Sequence, residues 1–365
     1  MRRFLVLLCA LALIMTAVAC GSDDSGSSSD TGASGAGKAP DLASYQPGKE
    51  EKTGVEPTTF GDVTPAGDYT YGVSLPWIGD PFWVGVAYGI EERAKELGIK
   101  INFNAANGYG DTANQLRHFD TYTTQGVDGI IVGAVDNEAI APAVDAAWDA
   151  GIPVSFVAVS AASDRSMGVY TDDVLAGQAQ ADYIAAKDPN AKVVMFCGPP
   201  GVIWPKLRCD AFKARLKEKA PNAQILAEKY HQMDRAVVAD QAGNTLQAFP
   251  QTTWVFNNTD LQAKGVIDAL KAEGKKAGDV KVTNLTMTSE LVDLWKQGWV
   301  QFAVAERPVM QGRLAVDQLT KVLNGEQVPA TWRVAMPGFE YPTDVEKFDA
   351  GEAKWNYAPA DYRAG

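Results

Sequence analysis

Residues 125 to 154 read QGVDGIIVGAVDNEAIAPAVDAAWDAGIPV. GIIVGAV is a continuous apolar run of strand length, and Asn137 to Ala150 is a helical stretch that ends before Gly-Ile-Pro. PVSFVAV then opens another strand. Strand, helix and strand in so short a span form the crossover unit of a parallel sheet, whose strands are apolar throughout because both faces are covered.

The same alternation extends in both directions. Upstream, YTYGVSL precedes a helix whose Phe82, Val86, Ile90, Ala94 and Leu97 keep helical spacing, with Asp80 as its candidate cap, Pro81 in its first turn and Gly98 as its stop. KINFNAA is the next strand and Asp111 to Gln125 the next helix. Downstream, Asp172 or Asp173 caps a helix ending near Lys187. KVVMFCG, a helix from about Pro205 to Ala220, QILAEKY, a helix over Ala236 to Phe249, TWVFNNT and a helix through Leu270 follow. KVTNLTM, a short helix, VQFAVAE, a long helix over Val309 to Leu323 and a late strand RVAMPGF complete the pattern. Two such sets without a long linker predict an α/β chain of two lobes sharing a cleft, and ligands of open α/β sheets sit beyond the carboxyl ends of the strands.

The amino-terminal region has another character. Met1 to Ala19 has the layout of an export signal, with MRR, an apolar run and small residues before Cys20. Gly21 to Gly37 is nearly all Gly, Ser, Asp, Ala and Thr, the composition of a flexible leash. Loss of Arg2 and Arg3 with the leader leaves 31 basic against 45 acidic residues, a net charge of −14 that makes nucleic acid an unsuitable partner. Cys197 and Cys209 lie at a strand end and in the following helix. They read either as a disulfide closing a short loop, for about 3 kcal/mol, or as two reduced buried thiols.

Another stretch raises a question of its own. SLPWIGDPFW, residues 74 to 83, gathers two tryptophans, a phenylalanine and a carboxylate where a chain should be turning through water. Flat rings at the end of a strand either pack the start of the helix or face a ligand, and they cover a sugar face or a methylated cation equally well.

Three blocks, GVSLPWIGDPFWVGVAYGIEERAKELGIKI, QGVDGIIVGAVDNEAIAPAVDAAWDAGIPV and TDDVLAGQAQADYI, resemble the type 1 periplasmic binding proteins that serve sugar and related importers. The likeness runs from about Asp68 to Phe339. Within the family, the aromatic first loop, VAYGIEE and a tryptophan after the sixth strand are most similar to the periplasmic protein that senses trimethylamine N-oxide, while ribose-type binders align over the same length. The segment before Cys20 is similar to a lipobox, with Ala17 where leucine is commoner, and this implies lipid attachment at Cys20.

The resemblance implies two Rossmann-like lobes joined by three hinge crossovers near Thr171, Glu306 and Arg333. The leader is then 1–19, a lipid-anchored linker 20–67, one lobe 68–171 with 307–335, the other 172–306 with 336–350, and a tail 351–365. Carried over by position, it implies solute contacts at Asp80, Phe82, Trp83, Lys206, Met233, Thr259, Thr286 and Glu306. Trp204, in a Gly-Pro-rich loop, reads as a further contact, while Lys206 and Arg208 either bind solute or lie along the helix as solvated charges. Ala158 and Val159 stand where sugar binders usually carry an Asp-Arg pair, which argues against a ribose-like ligand. Asp80 and Glu306 facing Trp83 and Trp204 would suit a quaternary ammonium or amine oxide, or Glu306 pairs with Arg307 or Lys206 as a hinge ion pair. Asn257 and Asn258 precede a helix that Asp260 helps to cap.

Nothing points to an enzyme. The chain lacks GxSxG, Cys-x-x-Cys, HExxH and Walker patterns, and its two histidines, His118 and His231, read as surface residues. No metal or cofactor is expected. The chain reads as a monomeric, membrane-tethered receptor that closes on a small polar solute, sugar-like or a methylated amine. Its partner is an ABC importer permease, docked through acidic patches, or else a sensor kinase.

Overall fold

The structure is a computed structural model that describes residues 41–56, 63–200 and 203–365. The leader, Cys20 and the leash lie outside the described residues.

Two sheets carry the chain. In the first, the order is β1 (Gly48–Val55), β12 (Pro329–Val334), β6 (Met167–Tyr170), β5 (Val154–Val157), β4 (Gly129–Val132), β2 (Thr70–Leu75) and β3 (Lys100–Ala105), every neighbour parallel. In the second, β13 (Gly338–Glu340), β11 (Phe302–Val304), β10 (Lys281–Leu285), β9 (Trp254–Asn257), β7 (Lys192–Gly198) and β8 (Gln224–Tyr230) follow one another, and only β13 runs antiparallel. This is an α/β fold of two lobes.

Helices α1 (Pro81–Leu97), α2 (Thr112–Gln125), α3 (Ala141–Asp149) and α9 (Pro308–Leu323) cover the first sheet. Helices α4 (Asp173–Lys187), α5 (Ile203–Lys219), α6 (Arg235–Ala248), α7 (Asp260–Ala272) and α8 (Ser289–Lys296) belong with the second. The apolar run in β7 follows from cover on both faces. Val194 and Phe196 enter the core shared with α6 and α7, whereas Val193 and Met195 enter the one shared with α4 and α5, and all four are fully buried.

Several boundaries differ from the sequence reading. The expected linker 20–67 contains a strand: GKEEKTGV forms β1, parallel to β12. Its run of Lys and Glu hides it from any pattern of apolar residues, because it is an edge strand with most of its side chains in water. Tyr45, just before it, stacks on Trp148 with ring centroids 5.7 Å apart. The late strand RVAMPGF divides between β12 and β13, one in each sheet. The tail 351–365 is anchored: Glu352 pairs with Arg307, Asn356 is fully buried, and the Tyr362 ring meets Tyr88 at 5.0 Å. His231 is buried rather than on the surface, and His118 is half-buried with its Nδ1 2.8 Å from the Ser74 hydroxyl.

Candidate ligand site between the lobes

The loop after β2 delivers the first wall. Asp80 caps α1 by accepting a bond from the Phe82 amide at 2.9 Å, and Pro81 fixes the first helical turn. That geometry sends Phe82 and Trp83 out at the carboxyl end of the sheet, with their rings edge to face and 5.1 Å between centroids. The Trp83 indole lies over Gly133, just past β4, where a Cβ would come within 2.5 Å of the ring, so only glycine accommodates it. Trp83 Nε1 donates to the Tyr109 hydroxyl at 3.3 Å.

The opposite wall comes from the second sheet. Trp204 and Arg208 stand one turn apart on α5, and the guanidinium lies 4.7 Å over the indole. Arg208 Nε donates to Asp173 at 2.7 Å, Nη2 to Glu306 at 2.7 Å and Nη1 to the Asn258 carbonyl at 3.2 Å. Glu306 also accepts from the Thr286 hydroxyl. Asp260 accepts from the Thr288 hydroxyl at 2.8 Å and pairs with Lys264 at 2.8 Å. The N-cap of α7 is Thr259 rather than Asp260, and the Thr259 hydroxyl is turned to Gln262.

A disulfide between Cys197 and Cys209 joins the end of β7 to α5, next to Arg208. Gly177 on α4 lets that helix approach, since a Cβ there would meet the Arg208 carbonyl at 2.1 Å. The turn of α5 that presents Arg208 is therefore held from two sides.

These groups converge on one cavity with an open mouth. Asp80, Phe82 and Trp83 line it from the first sheet, with Tyr109, Ala158 and Val159. Trp204, Met233, Thr259, Thr286 and Glu306 line it from the second. Lys206 does not: two positions from Trp204, it points to the other side of α5, is two-thirds exposed and pairs with Asp210. The cation at the cavity is Arg208, and helix phase separates the two. Trp77 is also outside the lining and 40 % exposed. Sequence reasoning missed Tyr109, Asp173 and Asp260 as lining groups; Tyr109 follows β3 in a loop without pattern, and both aspartates read as helix caps.

The electrostatics are uneven. Burial, then the neighbouring Asp260, push the Asp80 carboxyl up to about 7. Burial works against the charge on Arg208, but Glu306 and Asp173 more than reverse it and hold the group above its ordinary value. Three non-glycine residues have left-handed backbones: Ala158 at φ 62° and Thr286 at φ 73°, both on the lining, and Arg307 at φ 57°, next to Glu306. Such conformations persist only where the surroundings enforce them, and they gather at ligand clamps and hinges.

Comparison with known proteins follows the fold. A family model described as a periplasmic binding protein domain matches residues 71–327. The ribose import binding protein RbsB of Bacillus subtilis is 28% identical over 266 residues, covering 72% of this chain and 85% of the relative. The D-allose-binding periplasmic protein of Escherichia coli is 27% identical over 248 residues, covering 65% and 79%. The crystal structure of an ABC transporter solute binding protein from Bradyrhizobium sp. BTAi1 with bound Bis-Tris superposes with a TM-score of 0.75 at 24% identity, over 83% of this chain and 90% of that one. This last likeness is one of fold.

Proposed function

Because this chain belongs to the periplasmic binding protein family, whose members here are binding proteins and not enzymes, we propose that it is an extracytoplasmic receptor for a small polar solute, sugar-like or a methylated amine, which it delivers to an ABC importer. The observation that carries this reading is the convergence of aromatic rings from both sheets on one cavity at the carboxyl ends of the strands. A solute that touches Trp83 on one side and Trp204 on the other favours the lobes together by its differential affinity for that arrangement. We place the hinge near Thr171, Glu306 and Arg333. Arg333 Nη1 donating to the Thr171 carbonyl at 2.8 Å supports two of these crossings lying side by side.

The tether belongs to the same reading: a lipid on Cys20 keeps the receptor near its permease. Among the described residues no helix is long and apolar enough to cross a membrane. The sensor-kinase role is the other reading that the first-loop resemblance supports. Co-reconstitution separates them, since solute that stimulates ATP hydrolysis by an importer supports delivery and solute that stimulates kinase autophosphorylation supports sensing.

The binding claim itself is tested by thermal shift across sugars, polyols and methylated amines. A solute at a hundredfold its dissociation constant should add about 2.7 kcal/mol to stability. The shift should vanish in Trp204→Ala; a full shift in that variant would remove the site from the cleft. Labelling with a fatty acid analogue, lost in Cys20→Ser, tests the anchor.

A further inference from the structure

We infer that the cavity selects a small protonated amine, whose N–H groups face Asp80 and Asp260; this rests on the solute-binding reading above and narrows its ligand class. Each nitrogen of Arg208 makes one bond, to Asp173, Glu306 and the Asn258 carbonyl, which leaves one N–H on each of its two terminal nitrogens. The Thr286 hydroxyl is spent on Glu306, the Thr259 hydroxyl on Gln262, and Trp83 Nε1 on Tyr109. Ala158 and Val159 contribute no side-chain donor.

Against these few donors stand carboxylate oxygens with capacity to spare. Asp80 binds the Phe82 amide through Oδ1, and Asp260 takes both Thr288 and Lys264 on Oδ2, so each has a second oxygen for a ligand. Ionised, these atoms only accept, and a bound cation favours the ionised form of Asp80. A neutral sugar brings acceptors as well as donors, and its ring and hydroxyl oxygens would share the few donors left, on Arg208, Tyr109 and the Trp204 indole. An ammonium ion brings donors alone.

Charge points the same way. Asp80, Asp173, Asp260 and Glu306 line the cavity, whereas the cations holding them are Arg208 and, behind Asp260, Lys264. The wall is left with an excess of negative charge among apolar surfaces, where an unbalanced carboxylate is costly and a cation is correspondingly favoured. Phe82, Trp83, Tyr109 and Trp204 supply ring faces that attract alkylammonium groups and cover their methyl or methylene surface.

Calorimetric titration of the full mature chain with matched pairs tests this directly. The pairs are D-glucosamine against D-glucose, and trimethylammonium chloride against tert-butanol. The aminated member of at least one pair should bind at least tenfold more tightly than its neutral partner. Asp80→Asn, which keeps a good helix cap, should weaken that binding by roughly 100-fold, whereas Asp80→Glu should retain the preference. Equal or tighter binding of the neutral members overturns the inference, as does ammonium binding unchanged in a folded Asp80→Asn chain. Neutral sugars that bind in a Trp204-dependent manner would leave the receptor reading standing while the cation inference falls. Silence across both pairs and the wider sugar and amine panel overturns both.

Discussion

The two walls of the cleft use the same kind of ring in opposite ways. Trp83 is 1 % exposed and packs into the core of the first lobe over Gly133, while Trp204 is half-buried and rests on Arg208 rather than on a core. The first wall is therefore built by apolar packing around a single carboxylate, Asp80. The second is built by an ion-pair network in which the indole is the outermost layer. Removing the indole should separate fold from binding on the second wall and leave them entangled on the first.

The largest effect should come from Trp83→Ala. A fully buried indole replaced by a methyl group should cost about 3–5 kcal/mol, and solute binding should be lost with it; chemical denaturation measures the first and calorimetry the second. Arg208→Ala should approach the same cost, about 3–5 kcal/mol, by leaving Glu306 and Asp173 without their partner. A stable Arg208→Ala chain would show that the second wall is not held by that network. Removing Cys197 and Cys209 together as alanines should cost about 3 kcal/mol for a loop this short. Gly133→Ala should cost about 1–3 kcal/mol by pushing on the Trp83 ring.

The carboxylate on the first wall should reveal itself through pH. Folded Asp80 keeps its proton up to about 7, against 3.8 for the ordinary carboxyl. The native state thus binds more protons than the unfolded chain between those values, and stability from this group falls as pH rises through them. The groups facing it are Asp260 and Glu306, which favour the proton, and Lys264, which opposes it. Melting temperatures of the unliganded chain from pH 4 to 8 should therefore decline less in Asp80→Asn than in the parent; parallel curves would contradict that environment.

The sequence disclosed the walls unequally. Strand and helix alternation is carried by local spacing, and Phe82, Trp83, Trp204 and Glu306 stand at strand ends or helix starts, where such spacing places ligand groups. Lys206 and Arg208 are two residues apart, and which of them faces the cleft depends on the rotation of α5, fixed by long-range contacts with Asp173 and Glu306. The strand β1 escaped because its side chains are charged and its partner lies far along the chain at β12. Glu352, which holds Arg307 with paired bonds at 2.5 and 2.8 Å, carries no local signal at all. What failed to show in the sequence is what depends on residues distant in the chain.

The smallest structural effect belongs to the most telling variant. Trp204→Ala should change unliganded stability by no more than about 1 kcal/mol, because the indole is outside every buried core. Calorimetric titration of this variant with the solute that stabilises the parent chain tests the central claim, that rings from both lobes grip one guest. Binding should disappear while the melting temperature without solute is kept. Undiminished affinity in the folded variant would contradict it.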